Sequence, residues 1–334
     1  MSTFPIVIIG AGPAGIATAI EAIQRGFKTE EIIMLERSQE ISNMVSSKYP
    51  NEKRVLANYK GKISACLGDM CITDMSKKEF FDYLQEVVTK YKLHVNFQQR
   101  VTNITKLKNG QFNVTTHHDT YTCNAIFVAI GNMAAPRTLG VSIDPKILDR
   151  QYFDIQDVNE QHKKILVVGG GDSAAEYSKI LCERGHEVLL SYRGAEFSRM
   201  IEQNALDTKE LIAQKKITYF PESEVAKIGV HDEMPLVYFK DNKYPETIVS
   251  AVVVALGTER PLHYLNNIGI STVMETGEFF SESEMSGLFF VGDLASGKGG
   301  GSINFAFNSG VKAVAQACDM YLDCALPSTK KTGS

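Results

Sequence analysis

The chain has no tryptophan, and only ten prolines and six cysteines among its 334 residues. So few cysteines, unevenly spaced, argue against a disulfide-built scaffold. No Cys-x-x-Cys occurs, which leaves zinc sites and the commonest redox dithiol without support. No apolar run is long enough to span a membrane. The apolar segment near the N-terminus lacks a basic lead and a cleavage site. Nothing therefore targets the chain, and a cytoplasmic location is expected. The two signs of charge nearly balance, 35 Lys and Arg against 39 Asp and Glu, and the formal net charge of −4 gives no general attraction to nucleic acid. What remains is a composition able to fill two domains, each with its own core.

What is present begins with Gly10-Ala11-Gly12-Pro13-Ala14-Gly15. The run Ile6–Ile9 before it predicts a buried strand. A helical pattern from Pro13 to Gln24 follows, stopped at Gly26. A second run, Glu31–Leu35, apolar after its first residue, ends on Glu36, about 20 residues after the glycines. Strand, glycine turn, helix, strand and acid together predict a dinucleotide site. Gly10 makes the tight turn, Gly12 lets the backbone approach a pyrophosphate, and Gly15 lets the helix pack on the sheet. The free N–H groups at the helix start hold phosphate, and Glu36 suits a ribose hydroxyl pair.

Arg37 to Lys62 is polar and without a clear period, and is expected to wrap over a ligand. Ser76 opens a helix with a capping box and an apolar stripe through Phe80, Phe81, Leu84, Val87 and Val88. Strands are predicted at 93–97, 101–107 and 111–116, the last two joined by an Asn109-Gly110 hairpin. Ala125–Gly131 is a buried strand ending in glycine. Then the pattern begins again. Lys164–Val168 leads into Gly169-Gly170-Gly171-Asp172-Ser173-Ala174, a helix to about Arg184, and a strand 187–192 ending at Arg193. Ala251–Gly257 repeats the strand-to-glycine pattern. Leu288–Asp293 is a further strand ending in Gly-Asp, and a long helix from about 302 to 322 follows. Two glycine turns imply two dinucleotides. The Gly-Asp strand belongs with the first fold, because the central fold is complete by Gly257. The expected architecture is α/β, with two Rossmann-like nucleotide-binding domains, the second inserted in the first. The expected bounds are 1–131 and 260–325 for the first domain, 136–256 for the second, and a loose tail at 326–334.

This set of motifs, in this order over nearly the whole chain, resembles the two-dinucleotide-binding flavoproteins, most closely their thioredoxin-reductase-like branch. The resemblance implies FAD in the first fold and NADPH in the second. For FAD it implies Gly10, Gly12, Pro13, Ala14, Gly15, Glu36, Arg37, Val101, Gly131, Gly292 and Asp293. It adds the start of the last helix, Ser302, Ile303 and Asn304, pointed at the pyrimidine edge of the flavin. A helix N-terminus stabilises the negative charge that a reduced flavin carries there. For NADPH it implies Gly169, Gly170, Gly171, Asp172, Ser173, Gly257, Arg193 and Arg199. No acid stands at the end of the second strand of this fold, where an NAD site places one. Arg193 and Arg199 suit a 2′-phosphate instead. No metal is expected.

The departures from the family narrow the chemistry. The central domain has only Cys182, so the mechanism of thioredoxin reductase itself is not expected. The C-terminal dimerisation domain of glutathione-reductase-type enzymes is not expected. The Trp-containing fingerprint of Baeyer–Villiger monooxygenases is absent. Ala14 stands where bacillithiol-disulfide-reductase-like proteins carry a cysteine. The closest overall likeness is to ferredoxin/flavodoxin–NADP reductases, including flavodoxin–quinone reductases. It extends locally to Tyr192–Arg199 as an NADP loop, and to Lys48-Tyr49 and Asn58-Tyr59-Lys60 as a flavin-covering segment.

The expected activity is hydride transfer from NADPH to FAD and electron delivery to a small carrier protein or a quinone. Reduction of a disulfide through Cys66 and Cys71 is an alternative, and a non-turnover redox sensor is another. Cys66 and Cys71 have the CxxxxC spacing of a redox pair, but are expected to be two ordinary thiols, buried or partly buried. Lys48–Lys62 carries Lys48, Lys53, Arg54, Lys60 and Lys62 against Glu52. It reads either as a solvated loop or as a docking face for an acidic carrier. A homodimer is expected from the resemblance alone.

Overall fold

The computed structural model describes residues 2–59, 63–271, 285–296 and 302–325. Lys60, Lys62 and the tail 326–334 lie outside them. The chain forms two compact units. The first holds residues 1–47, 54–132 and 261–334; the second holds 48–53 and 133–260. Residues 48–53, read from the sequence with the first domain, therefore pack with the second.

The first unit is built on a seven-stranded sheet. Its order is Val95–Asn96, Ile32–Leu35, Ser2–Ile9, Thr120–Val128, Phe112–Thr116 and Val101–Lys106, and Leu288–Phe290 also pairs with Thr120–Val128. The first four strands run parallel. Ile6, Val7, Ile8 and Ile9 are each no more than 2% exposed. Burying such a side chain stabilises by about 1.5–3 kcal/mol, and a strand covered on both faces reads as a continuous apolar run. The helix Pro13–Gln24 starts where proline is favoured, at its first position. It packs on the last helix, Ile303–Met320, closely enough that a Cβ on Gly310 would lie 2.6 Å from Thr18 Oγ1. The helix Lys77–Lys90 carries the capping box read from the sequence: Ser76 accepts from Glu79 N, and Glu79 accepts from Ser76 N. The hairpin turn at Gly110 is also present, with Gly110 at φ 88°.

The second unit carries a five-stranded parallel sheet ordered Gln151–Tyr152, Ala251–Val254, Lys164–Val168, Glu187–Tyr192 and Ile217–Pro221. A smaller sheet pairs Thr247–Ile248, Met234–Phe239, Val225–His231 and Ser142–Ile143. Two apolar cores result, one around Ile165, Val167, Leu181 and Leu190, the other around Leu166, Val237, Val252 and Phe239.

Residues 48–53 are pinned to this unit by side chains. Lys53 is paired with Glu176, Lys48 Nζ lies 3.2 Å from Asp154, and Arg184 makes two 2.9 Å bonds to Glu52. Gln156 donates to the Tyr49 carbonyl. Burial alone would pull Lys53 down; Glu176 beside it, with Tyr49 and Asp172, outweighs this and raises its pKa above the ordinary lysine value.

Candidate functional site

The first glycine turn separates its glycines by task. A Cβ on Gly10, at φ 105°, would lie 2.6 Å from Ala129 O. A Cβ on Gly15 would lie 2.1 Å from Gly10 O. Both are fixed by packing. Around Gly12 a Cβ would meet nothing within 4 Å. Gly12 is also the N-cap of the helix Pro13–Gln24, and no side chain caps that end. The open space and the helix-start N–H groups, which have no intrahelical acceptor, fit a pyrophosphate.

Glu36 is buried, and its carboxylate braces the turn. Oε2 accepts from Ala11 N at 2.8 Å, and Oε1 from Ser38 N at 2.9 Å. A carboxylate has about four lone-pair directions, so a ribose hydroxyl still finds one. Arg37 is exposed. Sequence reasoning missed Ser42. Its N–H donates to Ala11 O at 3.0 Å, it sits at φ 50°, and its buried hydroxyl has no partner in the structure. An orphaned hydroxyl against the glycine turn is a further sign of a ligand surface. No motif marked it, because it lies in a stretch without period. Arg100 and Tyr264, 164 positions apart in the chain, also come together. The Arg100 guanidinium lies 5.3 Å from the Tyr264 ring centroid, and Tyr264 Oη donates to Val101 O at 2.9 Å. Burial raises the Tyr264 pKa, while the nearby Arg100 and Arg37 lower it.

Other expected FAD residues divide. Gly131, at φ 69°, faces open space. Gly292, at φ 70°, is required by packing, since a Cβ there would lie 2.8 Å from the Ala14 Cβ. That contact sets half-buried Asp293 near the glycine turn. Ser302 caps the last helix by accepting from Phe305 N at 3.2 Å. Ile303 begins that helix. Two expected residues have their side chains engaged within the protein. The Asn304 side chain is turned to Ile72, accepting from its N–H and donating to its carbonyl, each at 3.0 Å. The Val101 side chain lies in the core, 1% exposed, leaving only its backbone for a ligand.

The second turn repeats the logic. A Cβ on Gly169 would lie 2.4 Å from Ala255 O, and one on Gly170 would enter the Tyr192 ring. Gly171 is open around its Cβ position and caps the helix Asp172–Glu183 with no side-chain partner. Gly257, at φ 80°, is likewise open. Ser173 is half-buried at the helix start. Asp172 Oδ1 accepts from Ile201 N at 2.7 Å and Asn204 Nδ2 at 3.0 Å, so this carboxylate fastens the next helix. Arg193 ends the strand Glu187–Tyr192 and is exposed. Arg199 is exposed too, and its backbone bridges Gly171, which holds it beside the turn.

The thiols differ most from expectation. Cys66 and Cys71 are joined in a disulfide, and both are exposed, not two separate buried thiols. The intervening turn brings their Cα atoms to 5.7 Å, within bridging range. Cys318 and Cys324 form a second disulfide. The basic segment also differs: Lys48 and Lys53 are engaged by carboxylates and do not form a free positive face.

A family model for pyridine nucleotide-disulphide oxidoreductases matches residues 7–292. The chain belongs to that family. Pyridine nucleotide-disulphide oxidoreductases of this build use FAD and NADPH, and the protein is a flavoprotein reductase of this kind. It is 28% identical over 315 residues to the bacilliredoxin reductase Bdr of Bacillus subtilis, covering 89% of this chain and 91% of that one. It is also 28% identical over 305 residues to a ferredoxin–NADP reductase of Levilactobacillus brevis, covering 87% and 85%. The fold matches the bacillithiol disulfide reductase Bdr of Staphylococcus aureus with a TM-score of 0.80 at 22% identity, over 96% of this chain and all of that one. The thioredoxin reductase of T. acidophilum matches with a TM-score of 0.73 at 19% identity, over 94% and 97%. Among the described residues no helix is long and apolar enough to cross a membrane.

Proposed function

We propose that the protein oxidises NADPH through FAD and passes the electrons to a small carrier protein of the ferredoxin or flavodoxin class, or to a quinone. The observation that carries this is the thiol inventory of the second unit. Residues 133–260 contain one cysteine, Cys182, half-buried and pushed up by burial to about 11. A lone thiol has no partner with which to form a disulfide that could accept a pair of electrons from the flavin. That supports an outlet other than a dithiol in this unit, and a relative named ferredoxin–NADP reductase supports the carrier.

In this reading Gly12 and the uncapped start of its helix hold the FAD pyrophosphate, Glu36 holds a ribose, and Ser42 adds a hydroxyl donor. The start of the last helix places positive dipole at the edge where charge accumulates. Gly171 and its helix hold the NADPH pyrophosphate. Arg193 and Arg199 pair with the 2′-phosphate through guanidinium forks. When bound, FAD supplies the store that accepts a hydride and releases electrons singly or in pairs.

The test is rapid-mixing absorbance at the flavin band with NADPH, followed by a screen of ferredoxin, flavodoxin, quinones and disulfides. Fast bleaching by NADPH and reoxidation by a carrier or quinone are expected. Turnover with disulfides alone would refute the acceptor, and no bleaching would refute the enzyme reading.

A further inference from the structure

Arg193 and Arg199 lie on a loop between the strand Glu187–Tyr192 and the helix Glu202–Ala213. Two arginines on a free loop would lose ordering entropy each time they met a phosphate. This loop is not free. At its first end Tyr192 O accepts from Ser223 N at 2.9 Å, and Gly194 O from Glu222 N at 3.2 Å. In its middle Glu196 and Ser198 are exposed, but Phe197 between them is buried. The Phe197 ring stacks on Tyr192 with centroids 6.0 Å apart and leans on Tyr219 at 4.9 Å. The Tyr192 ring in turn covers two glycines: a Cβ on Gly170 would lie 2.1 Å from it, and one on Gly194 2.8 Å. At the far end the Arg199 backbone bridges Gly171, and Met200 is buried. Asp172 Oδ1 there takes Ile201 N at 2.7 Å and Asn204 Nδ2 at 3.0 Å. Gly171 and Asp172 are also the cap and the first residue of the helix Asp172–Glu183. The far end of the loop thus hangs from the glycine turn itself. The two arginines are held differently. Arg193 directly continues a strand flanked on both sides in its sheet. Arg199 stands six residues further on and depends on Phe197, Asp172 and the Gly171 bridge.

We propose that Phe197 and Asp172 are positioning residues for cofactor discrimination. They fix Arg199 at a set place relative to the glycine turn, so that a nucleotide anchored there by its pyrophosphate meets a guanidinium already placed for a 2′-phosphate. The proposal rests on the reading of Arg199 as a 2′-phosphate partner. Phe197 and the Asp172 carboxylate act through that arginine and not by contact with the nucleotide. A loop cut from either mooring would still carry the arginine, but binding would have to order it first. That loss falls on NADPH and spares NADH, which has no 2′-phosphate to present.

The experiment uses the full chain with its bound flavin. Titration calorimetry measures affinity for 2′,5′-ADP, which carries the 2′-phosphate, and for 5′-ADP, which lacks it. Steady-state kinetics with ferricyanide as acceptor give KM for NADPH and NADH. Phe197→Ala and Asp172→Ala should each weaken 2′,5′-ADP binding about three- to tenfold and raise the NADPH KM to match, with smaller changes for 5′-ADP and NADH. Asp172→Asn keeps an acceptor oxygen and should lose less than Asp172→Ala. Phe197→Ala should add no loss once Arg199 is already alanine, whereas beside Arg193→Ala the two losses should multiply. Binding of 5′-ADP certifies that the second unit is folded, and Phe197→Leu takes over the test if the alanine variant fails to bind it. Equal losses for 2′,5′-ADP and 5′-ADP overturn the proposal, as does a Phe197→Ala loss that persists in full beside Arg199→Ala. If Arg199→Ala weakens 2′,5′-ADP while the positioning variants stay at the wild-type value, the proposal fails and the arginine reading stands. If Arg199→Ala itself binds 2′,5′-ADP as the wild type does, the arginine reading fails and the proposal falls with it.

Discussion

At the first glycine turn the third position must be glycine, because Gly15 sits against the Gly10 carbonyl, where a Cβ would be 2.1 Å away. At the second turn Ala174 stands in that place and packs without conflict, 3.2 Å from where a Cβ on Gly169 would lie. The open position is the same in both: Gly12 and Gly171, each two residues after the first glycine, face empty space, whereas Gly170, which corresponds to Ala11, is covered by the Tyr192 ring. The strand ends carry opposite charge: Glu36, buried and braced, against Arg193, exposed. The comparison separates what a glycine turn needs for packing from what it needs for a ligand. The packing glycines answer to the local helix–strand distance. The ligand glycine is the one with nothing beside it, and the strand-end charge matches a hydroxyl pair or a phosphate.

The sharpest way to break this comparison is to fill the two open positions. Gly12→Val should abolish FAD retention, a loss of at least about 100-fold, since a side chain would take the pyrophosphate space. Gly171→Val should leave FAD in place and raise the NADPH KM. Absorbance of the purified variants and steady-state kinetics check both. Arg193→Ala should narrow the preference for NADPH over NADH through KM. A guanidinium–phosphate pair is worth about 1.5–3 kcal/mol, or roughly 10- to 100-fold. Unchanged cofactor preference would remove Arg193 from the site. Gly170→Ala forces the Tyr192 ring aside and should cost about 1–3 kcal/mol, measured as a lower denaturation midpoint. The smallest effect concerns Cys182. Burial raises its pKa to about 11, so little thiolate exists at neutral pH. Its alkylation should be slow at pH 7 and quicken with pH up to that value, whereas an ordinary thiol would level off near 8.5. Levelling near the ordinary value would contradict the buried placement.

Much of this was legible in the residues because it is local. The helix Pro13–Gln24 begins at its proline and the strand Lys164–Val168 spans its apolar run. Ser76 and Glu79 cap each other three positions apart. What failed to show depends on contacts far along the chain. Leu93–Phe97 shortens to Val95–Asn96 because only Met34 and Leu35 pair with it. The 37–62 stretch hides the helix Asn43–Lys48 and the orphaned Ser42 hydroxyl, neither of which has a periodic signature. The Asn304 side-chain amide is bonded to Ile72, a contact 232 positions apart that its place at a helix start does not announce. The backbone beside Cys66 and Cys71 is bonded to Asn308 and Asn304, more than 230 positions away, which spacing does not reveal.

The six residues at 48–53 change how this protein could be taken apart or recombined. Excised as a continuous cassette, 133–260 would leave behind Glu52 and Lys53, the partners of Arg184 and Glu176. Each abandoned charge would sit half-covered without its counter-ion, at a cost of about 1–3 kcal/mol. A graft of this domain onto another protein must carry the distant hexapeptide with it, or neutralise Glu176 and Arg184 together. The functional boundary of the second domain is thus a list of partners, and the shortest interval of sequence that spans them begins well inside the first.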